Sequence, residues 1–401
     1  MGRWEAEVAV IGGGPAGLTA AIALGRAGVE TALVAKRAAH ADHRTTALLA
    51  GSVMALDALE VWPRCQAQAA PLRAIRIVDD TARLLRAPEI KFEAAEIGLD
   101  AFGQNIENRH LVAALHASAA GIGVIKRIDD EALAVDISDG GAIVRLKDGG
   151  ELSTRLVVGA DGRRSVCRAA AGIDTDSRAY PQNALTFNLG HTRAHEDIST
   201  EFHTPNGPFT LVPLPGRRSS LVCVVDPATA RLIAEMDDSA LVDELEHRSH
   251  SLLGRLTVEP GRGAFPLAME TARTFARTRV ALVGEAGHVL PPIGAQGLNL
   301  GLRDAATVAE IVIEARRDGA DIGSDSVLAR YDNLRRSDIN SRAMAVDVLN
   351  RTLLSDFLPL QGARQLSFFM LRRIGPLRRA VMREGVAPRF SEPKLMRGEA
   401  L

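Results

Sequence analysis

Residues 8–17 read Val8-Ala9-Val10-Ile11-Gly12-Gly13-Gly14-Pro15-Ala16-Gly17, in which a short apolar strand leads directly into a Gly-x-Gly-x-x-Gly turn. An alanine-rich helix over Leu18 to Ala27 follows, and a second apolar strand, Thr31-Ala32-Leu33-Val34-Ala35, comes next. This order and spacing are those of a βαβ unit that binds a dinucleotide. The sequence therefore predicts a Rossmann-like unit built around a pyrophosphate.

Each spaced glycine has its own role in such a turn. Gly12 permits the tight turn, Gly14 lets the backbone approach a phosphate, and Gly17 lets the helix pack close to the strand. Pro15 and Ala16 lie where the helix starts, and the N-terminal amides of that helix would face the anion. We therefore expect these five residues to form a phosphate-binding loop.

The second strand ends in Ala35-Lys36-Arg37, where a dinucleotide-binding unit usually has an acidic residue for the adenosine ribose. Lys36 or Arg37 would suit the 2′-phosphate of a nicotinamide dinucleotide phosphate. Charged pairs after a strand are more often simply solvated, and we favour that interpretation. Ribose binding then depends on other groups.

Composition limits the classes of function. The 401 residues include 48 Lys and Arg against 49 Asp and Glu, a formal net charge of −1, so we expect no nucleic-acid partner. No apolar run approaches the ~18 residues of a membrane-spanning helix, and the first strand begins too early to leave room for a secretory signal. These features predict a cytoplasmic protein of about two or three domains.

Cysteine and histidine spacing does not indicate a metal site. Cys65, Cys167 and Cys223 lie far apart and form no Cys-x-x-Cys pair, which favours reduced core thiols. His191 and His195 are four residues apart, but the surrounding sequence alternates like a strand and supplies no acidic ligand. We expect no bound metal.

A second strand-and-turn motif reads Leu156-Val157-Val158-Gly159-Ala160-Asp161-Gly162. Asp-Gly after a strand is in most proteins only a turn. A third motif is longer: residues 280–283 form an apolar strand, Gly284-Glu285 follows, and a loop rich in proline and glycine leads to apolar residues at helical spacing from Leu298 to Val312. We expect that helix to begin near Gly297 and to turn its free amides toward the loop.

The three motifs together resemble the class A flavoprotein monooxygenases, which are FAD-dependent aromatic hydroxylases, over roughly residues 6 to 350. The run Pro292-Ile293-x-x-Gln296-Gly297-x-Asn299-Leu300-Gly301-Leu302-Arg303-Asp304 is most similar to the ubiquinone-biosynthesis hydroxylases, as are Asp42-x-Arg44-x-x-Ala47-Leu48 and Asn108-Arg109-x-Leu111. The resemblance implies an α/β fold with a Rossmann-like FAD-binding domain, an interleaved β-sheet substrate domain as in para-hydroxybenzoate hydroxylase, and a C-terminal helical segment.

The resemblance also implies site residues. Catalytic roles fall to Pro292, Gly297 and His288, although His288 is equally well interpreted as a structural residue. Non-covalently bound FAD would be held by the following residues: Gly12, Gly14, Pro15, Ala16, Gly17, Arg44, Arg109, Asp161, Gly284, Glu285, Gly297, Leu298 and Asn299. Asp161 would lie near both the pyrophosphate and the nicotinamide donor. Glu285 departs from the family, which usually has Asp there.

The implied reaction is hydroxylation of an aromatic ring of a ubiquinone-biosynthesis intermediate. NADH or NADPH would reduce FAD, oxygen would add at C4a, and the resulting hydroperoxide would pass a hydroxyl group to the ring. Three alternatives stay open: a hydroxylase of another small aromatic or polyketide, a flavin-dependent reductase without oxygen transfer, and a nonenzymatic flavin-binding partner in a biosynthetic assembly.

The pattern between Tyr180 and Phe275 changes to alternating strands, as in residues 209–214 and 221–225 around a Pro-Gly turn. We expect this substrate sheet to interrupt the cofactor domain, with a shorter excursion near Ile75 to Ile90 adding strands to it. The predicted FAD-binding domain comprises residues 1–75, 100–178 and 276–330. The predicted substrate domain comprises residues 76–99 and 179–275, and residues 331–401 form the helical segment.

The C-terminal segment is basic and amphipathic. Between Arg364 and Arg389 the sequence has seven arginines and one acid, Glu384, with Phe368-Phe369-Met370-Leu371 among them. One interpretation is contact with anionic lipid or with a partner helix, useful for a polyprenylated substrate. The other is a helix that caps the domain with a solvated basic side.

Overall fold

The parallel βαβ pattern predicted at the N-terminus is present in a computed structural model, which describes residues 2–36, 42–81, 86–354, 358–386 and 392–401. The helices of these residues are α1 (Pro15–Arg26), α2 (Ala50–Ala58), α3 (Asn108–Ala120), α4 (Val166–Ala170), α5 (Pro227–Glu235), α6 (Asp238–Arg248), α7 (Gln296–Arg317), α8 (Asp325–Leu354), α9 (Leu358–Arg373) and α10 (Gly375–Val386). The strands are β1 (Arg3–Ile11), β2 (Thr31–Val34), β3 (Thr45–Leu49), β4 (Ala69–Pro71), β5 (Ala74–Asp79), β6 (Ile90–Glu93), β7 (Gly103–Glu107), β8 (Ile125–Ile128), β9 (Ala132–Ser138), β10 (Gly141–Leu146), β11 (Glu151–Gly159), β12 (Thr175–His191), β13 (Ile198–Thr204), β14 (Gly207–Leu214), β15 (Arg218–Val225), β16 (Leu256–Val258), β17 (Gly263–Ala272), β18 (Ala276–Arg277), β19 (Val280–Leu282) and β20 (His288–Val289).

The first sheet has eight strands, and its main path runs β18-β19-β11-β1-β2-β8. Strands β19, β11, β1, β2 and β8 are parallel to one another, whereas β18 pairs antiparallel with β19, and β10 and β9 add an antiparallel extension to β11. The inner strands β1 and β2 end in runs of buried apolar residues, as a sheet covered on both faces requires. Helix α1 packs against both α3 and α7.

The second sheet has nine strands in the order β20-β17-β12-β15-β14-β13-β5-β6, with β16 beside β12. Neighbours are antiparallel except β13 and β5. The chain enters this sheet three times: first for β5 and β6, again from β12 to β17, and finally for β20, after β18 and β19 have returned to the first sheet. This confirms the predicted α/β fold with an interleaved second sheet, including the excursion near Ile75 to Ile90.

A small third sheet, in the order β3-β7-β4, was not expected from the sequence. It packs through β7 and β4 against β14 of the second sheet. The Asn105 amide of β7 donates to the Pro213 carbonyl at 2.8 Å and to the Ser220 hydroxyl at 3.2 Å, so the contact is specific as well as close. The third sheet therefore fixes the second sheet relative to the first.

Two main cores form. In the first, α1 and α7 pack on the parallel sheet, and Leu18, Ile22 and Leu24 of α1 are fully buried. In the second, one face of the nine-stranded sheet packs on α5 and α6 through residues such as Phe187 and Leu241. Burying each such large apolar side chain contributes about 1.5–3 kcal/mol to the free energy of folding. Each core therefore stabilises the sheet on which it packs.

The end of the chain packs back on the first core. After α10, residues Lys394–Arg397 form a short 3-10 turn that packs on α2 and α7. Leu395 and Met396 are 1% and 2% exposed and belong to the first core. Within the described residues, no helix combines the length and hydropathy needed to cross a bilayer.

Replacing Leu395 by Ala should lower the free energy of unfolding by about 2–4 kcal/mol, because it opens a cavity in the first core. The matched control is Leu133→Ala, since Leu133 is 55% exposed and its truncation should cost less than about 0.5 kcal/mol. Urea unfolding followed by circular dichroism measures both. Equal values for the two variants would contradict the docking of the chain end.

Candidate cofactor and substrate site

The three sequence motifs follow three adjacent strands. The glycine turn follows β1, the Asp-Gly turn follows β11, and Gly284-Glu285 follows β19, in the sheet order β19-β11-β1. Because the three strands are parallel, their carboxyl ends lie at one edge of the sheet. Ligands of open α/β sheets bind at this edge.

The first and second motifs touch through backbone. Gly12 has φ +120°, and a β-carbon there would lie 2.1 Å from the Ala160 carbonyl oxygen. A β-carbon on Gly17 would lie 2.2 Å from the Gly12 carbonyl oxygen. Side chains at Gly12 or Gly17 would therefore force the turn away from β11, which is the physical reason for glycine at both positions.

The third motif touches the first helix in the same way. Gly284 has φ +60°, and a β-carbon there would lie 3.3 Å from the Ala16 β-carbon. Gly301 of α7 is equally close, since its β-carbon would be 3.2 Å from the Gly284 α-carbon and 3.3 Å from the Ala16 β-carbon. Small residues thus bring α1, α7 and the β19 turn into contact.

Two helix N-termini at this edge have open space before them. A β-carbon on Gly14, the N-cap of α1, would meet no heavy atom of the described residues within 4 Å, and the same is true of Gly297 in the first turn of α7. Neither helix has an acidic residue in its first turn. Because the amides at a helix start are unpaired, a negative charge placed there is stabilised by about 0.3–1 kcal/mol when exposed. The geometry fits the pyrophosphate of FAD before α1.

The Pro-Pro loop lies between Gly284 and α7. Pro292 and Gly297 are exposed and Leu298 is half-buried, so the loop has an accessible side. Ala295, the N-cap of α7, has φ +53°, a left-handed conformation that non-glycine residues seldom adopt. Helix α7 begins at Gln296, which confirms the start expected near Gly297.

Asn299 holds α7 to β3. Its amide oxygen accepts from the Leu49 N–H at 2.8 Å, and its amide nitrogen donates to the carbonyls of Ala47 at 2.8 Å and Ala295 at 2.6 Å. The side chain is thus already hydrogen-bonded to protein backbone. Asn299 fixes the end of the loop rather than projecting a free amide into the site.

The Asp161 side chain is turned toward α4. Its carboxylate accepts from the Ser165 hydroxyl at 2.6 Å, the Val166 N–H at 2.7 Å and the Cys167 N–H at 3.2 Å. It therefore caps a helix start, where negative charge is favourable. Its backbone nitrogen lies next to the glycine turn, 3.0 Å from where a Gly12 β-carbon would be.

The Asp42-x-Arg44 and Asn108-Arg109 motifs meet although 62 or more residues separate them. Arg44 donates to both Asp42 oxygens at 2.9 and 2.8 Å, and the Asn108 amide donates to Asp42 at 3.0 Å. Burial opposes ionisation of Asp42, but these hydrogen bonds outweigh it and hold its pKa below the usual value. The hydrogen bond from Arg44 to Asp42 raises the Arg44 pKa, and the exposed Glu285 carboxylate adds to that effect.

Arg109 is bound to a buried acid that the sequence did not single out. Glu107 is 4% exposed in its side chain, lies 3.0 Å from Arg109 and 3.4 Å from Arg218, and accepts from the Asn188 amide at 3.2 Å. Burial would raise the Glu107 pKa, but the two arginines more than offset it and the pKa is lowered. This cluster joins β7 to the second sheet. The sequence shows Glu107 beside the Asn108-Arg109 motif but does not show which arginines it pairs with.

His288 is buried and paired. Its Nε2 lies 2.6 Å from Asp304 Oδ2, and both side chains are 1% exposed. Asp304 also accepts from the Gly284 N–H at 3.0 Å and from Arg335 Nε at 2.7 Å. Burial opposes the charge on Asp304, yet its interactions with His288 and Arg335 and the hydrogen bond from the Gly284 N–H keep its pKa low.

The Asp304 contacts continue into α8. Arg335 also pairs with Asp338 at 2.7 Å, and Asp338 pairs with Arg303 at 3.0 Å. Asp304 belongs to the third sequence motif, but the sequence predicted no role for it. Arg335 and Asp338 were not predicted at all. The available signal was the adjacent Arg303 and Asp304 among the largely apolar residues from Leu298 to Val312.

Other predicted residues lie elsewhere. Lys36 is exposed and pairs with Glu131 at 2.7 Å, whereas Arg37 lies outside the described residues. His191 Nδ1 is hydrogen-bonded to the Arg193 carbonyl at 2.7 Å, on strand β12. In the described ranges, no group of three or more His, Cys, Asp or Glu is placed to hold a metal ion.

One face of the nine-stranded sheet looks toward the third sheet. Asn188, Ser220 and Val212 pair directly across three strands and so share a face, and Ser220 is the residue bonded to Asn105. Half-buried or exposed side chains on the same face are Thr186, Val222, Thr210 and Phe265. The Arg44 guanidinium lies 5.6 Å from the Phe265 ring centroid, which joins this face to the cofactor edge.

Comparison with known proteins agrees with this geometry. The family described as "FAD binding domain" matches residues 5–345. Ubiquinone hydroxylase UbiL of Rhodospirillum rubrum is 34% identical over 99% of this chain and 94% of its own, and 3-demethoxyubiquinol 3-hydroxylase of Escherichia coli is 31% identical over 96% and 99%. The crystal structure of p-nitrophenol 4-monooxygenase PnpA from Pseudomonas putida DLL-E4 has the same fold, with a TM-score of 0.79 at 20% identity over 97% of this chain and 100% of that one.

The chain belongs to the FAD-binding family of class A flavoprotein hydroxylases, which confirms the resemblance seen in the three motifs. It is therefore a FAD-dependent monooxygenase, and FAD is its cofactor.

Replacing Asp304 by Ala should lower the free energy of unfolding at pH 7 by about 3–5 kcal/mol, because Arg335 and His288 would lose their buried partner. The folded state lowers the Asp304 pKa, so this stabilisation is complete above the unfolded value near 3.9 and is lost as the pH falls through the folded value. The gap between wild type and variant should therefore shrink below about pH 4.

Urea unfolding at several pH values checks this, with Asp325→Ala as the control because Asp325 is exposed in the first turn of α8. An Asp304→Ala protein within about 0.5 kcal/mol of wild type at pH 7 would contradict the buried ion pair.

Proposed function

We propose that this monooxygenase hydroxylates an aromatic ring of a ubiquinone-biosynthesis intermediate, with NADH or NADPH as electron donor and O2 as oxygen source. The observation that carries the proposal is end-to-end similarity to two hydroxylases whose names place them in ubiquinone chemistry. The half-buried sheet face with Thr186, Val222 and Phe265 supports a largely apolar, polyprenylated aromatic substrate.

The chain's own residues would hold FAD at the three strand ends. Gly12, Gly14 and Gly17, together with Pro15 and Ala16, would form the turn and helix start around the pyrophosphate. When bound, FAD supplies a ring system that accepts hydride and activates oxygen. The protein's part is to place that ring and exclude water from it.

Charged residues around the edge would complete the binding of FAD. Arg44 and Arg109 would contact the cofactor, each already oriented by a carboxylate. Glu285, exposed after Gly284, would reach the ribityl chain. Asp161 would lie near the pyrophosphate and the donor's path, with its carboxylate fixed at the start of α4.

The loop from Pro292 to Gly297 would flank the flavin ring, with Leu298 beside it and Asn299 anchoring the loop to β3. The N-terminal amides of α7 would stabilise the negative charge that collects on the ring during reduction. Preorganised donors of this kind contribute roughly 3 kcal/mol each where water is excluded. This is the catalytic role that we assign to Pro292 and Gly297.

We assign His288 to positioning rather than to proton transfer. Its ring is buried and bound to Asp304, the same carboxylate that accepts from the Gly284 N–H. A proton exchanged at Nε2 would break that contact. His288 would thus keep the Gly284 turn in place against α1.

We further propose that residues 1–75, 100–178 and 276–330 act as the FAD-binding unit and residues 76–99 and 179–275 as the substrate unit, with 331–401 packed on both. Two of these limits fall inside β5 and β12. The units would then be joined by continuous strands rather than by flexible linkers.

The deciding experiment measures NAD(P)H oxidation, oxygen uptake and product together. We expect a demethoxylated ubiquinone precursor, which has a ring C–H in place of the methoxy group, to stimulate NAD(P)H oxidation with equal oxygen uptake and a hydroxylated product. Donor oxidation without matching oxygen uptake would indicate a reductase. Hydroxylation only of a different aromatic compound would indicate the alternative substrate class, and no donor oxidation at all would indicate a nonenzymatic flavin-binding protein.

Replacing Gly14 by Ala should weaken FAD binding by about tenfold or more, equal to about 1.4 kcal/mol, because a methyl group would enter the space assigned to the pyrophosphate. Gly14 has φ −73° and open space around its β-carbon position, so the apoprotein should unfold as wild type does.

The control is Gly123→Ala, since Gly123 also has no neighbour within 4 Å among the described residues but lies in a loop after α3. FAD titration monitored by flavin fluorescence compares the variants. Equal FAD affinity in Gly14→Ala and wild type would contradict the assignment of the pyrophosphate to this loop.

A further inference from the structure

Helices α9 and α10 expose an apolar stripe that no described residue covers. Its side chains are between 37% and 58% exposed and recur at helical spacing of three or four residues: Leu366, Phe369, Met370, Ile374, Leu377 and Val381. Isolated exposed apolar residues are ordinary, whereas a contiguous row on a folded surface usually marks an interaction site. We call these six residues the α9–α10 stripe.

Positive charge surrounds the α9–α10 stripe. Residues 366–386 contain five arginines and one acid, Glu384. Four of the arginines are exposed and form no ion pair with any residue that the structure describes: Arg372, Arg373, Arg379 and Arg383. The Arg373 guanidinium lies 5.3 Å from the Phe369 ring centroid, so charge and apolar surface are directly adjacent.

The other side of the two helices is fixed to the protein. Met382 is 6% exposed and packs in a small core with Phe92 and Phe102. Arg378 pairs with Glu96 at 2.6 Å, and its guanidinium lies 4.7 Å from the Phe92 ring centroid. The helices therefore present the stripe outward from a fixed position.

The helices are attached on the substrate side of the nine-stranded sheet. The Phe368 ring lies 6.1 Å from the His203 ring on β13. The neighbouring Phe202 packs in the core with α5 and α6, so His203 points to the opposite face, because successive residues of a strand alternate. That opposite face also carries Thr210, across from Glu201. The stripe thus borders the face that we assign to the substrate.

We propose that α9 and α10 dock this protein onto an anionic lipid bilayer. The apolar stripe enters the boundary between headgroups and acyl chains, and the free arginines bind the lipid phosphates. Amphipathic helices with arginine beside a large apolar face bind membranes in this way, and their basic residues are attracted to anionic leaflets. The clustering of exposed positive charge around the stripe favours lipid over a protein partner.

Docking at this place has a consequence for the substrate, and this part rests on the proposed function. A polyprenylated ring could pass from the bilayer to the sheet face beside His203 without its tail crossing water. Removing an isoprenoid tail from lipid into water is unfavourable because each buried CH2 contributes to its partition into the membrane.

Flotation of the FAD-loaded full-length protein with vesicles tests the docking without any substrate. The protein should float with vesicles that contain phosphatidylglycerol, should bind pure phosphatidylcholine vesicles more weakly, and should be released in part at about 0.5 M NaCl, where charges are strongly screened. Absence of binding to the anionic vesicles would overturn the proposal.

Two matched pairs of variants locate the contact. The double variant Phe369→Glu/Leu377→Glu should reduce vesicle binding about tenfold or more. Its control is the double variant Leu133→Glu/Leu232→Glu, which changes exposed leucines on β9 and α5 and should leave vesicle binding unchanged.

The double variant Arg372→Gln/Arg373→Gln should reduce binding to anionic vesicles about fivefold or more. Its control is Arg64→Gln/Arg217→Gln, which removes the same charge elsewhere on the surface and should leave this binding unchanged. Equal losses in the stripe variants and their controls would overturn the proposal.

Two further measurements separate the possible outcomes. The wild-type protein could instead fail to bind vesicles and form a dimer that Phe369→Glu converts to a monomer. In that case the stripe is a protein interface and the proposal is wrong. Oxygen uptake with a water-soluble aromatic lacking the tail should be the same in wild type and the stripe variants. Vesicle binding without hydroxylation of the ubiquinone precursor would uphold the docking while contradicting the proposed function.

Discussion

The structure depends on close contact between small residues where three parallel strands end. Gly12 and Gly17 touch Ala160 and one another, and Gly284 touches Ala16. These contacts are backbone to backbone or methyl to backbone, so even one added methyl group would separate the loops. Because the loops cannot move apart, the helix starts of α1 and α7 stay aimed at one edge of the sheet, and a single extended cofactor can reach both.

A cluster of buried charged residues also holds the turn after β19 in place, through contacts with α8. Asp304 joins the Gly284 N–H, His288 and Arg335, and so links the β19 turn to α8. A buried ion pair contributes little to the net free energy of folding compared with apolar packing. Removing one of its partners nevertheless lowers the stability strongly, because the other charge stays buried without a partner. The cluster therefore favours one position of the turn over others. Glu107 has a comparable place between β7 and the second sheet, where it holds Arg109.

Much of this could be predicted because strand, turn and helix signals are local. The glycine turn, the Asp-Gly turn and the Pro-Pro loop each predicted a strand that ends in a turn or loop, and together they predicted a Rossmann-like FAD-binding domain. The Asp161 contact with α4 and the Asn299 contact with β3 could not be predicted, because a side chain's partner depends on residues distant in the chain. The ion pairs of Asp304 and Glu107 were missed for the same reason. The packing of Leu395 in the first core could not be predicted either, because the turn that contains it is too short to show an apolar periodicity in the sequence.

We expect the three strand ends to bind one FAD molecule together and without a covalent bond. Titration of purified apoprotein with FAD, followed by flavin absorbance and by release of the flavin on acid or heat denaturation, tests it most directly. The account predicts a yellow complex of one FAD per chain, with all of the flavin recovered in solution after denaturation. Folded protein that stays colourless in excess FAD would contradict it.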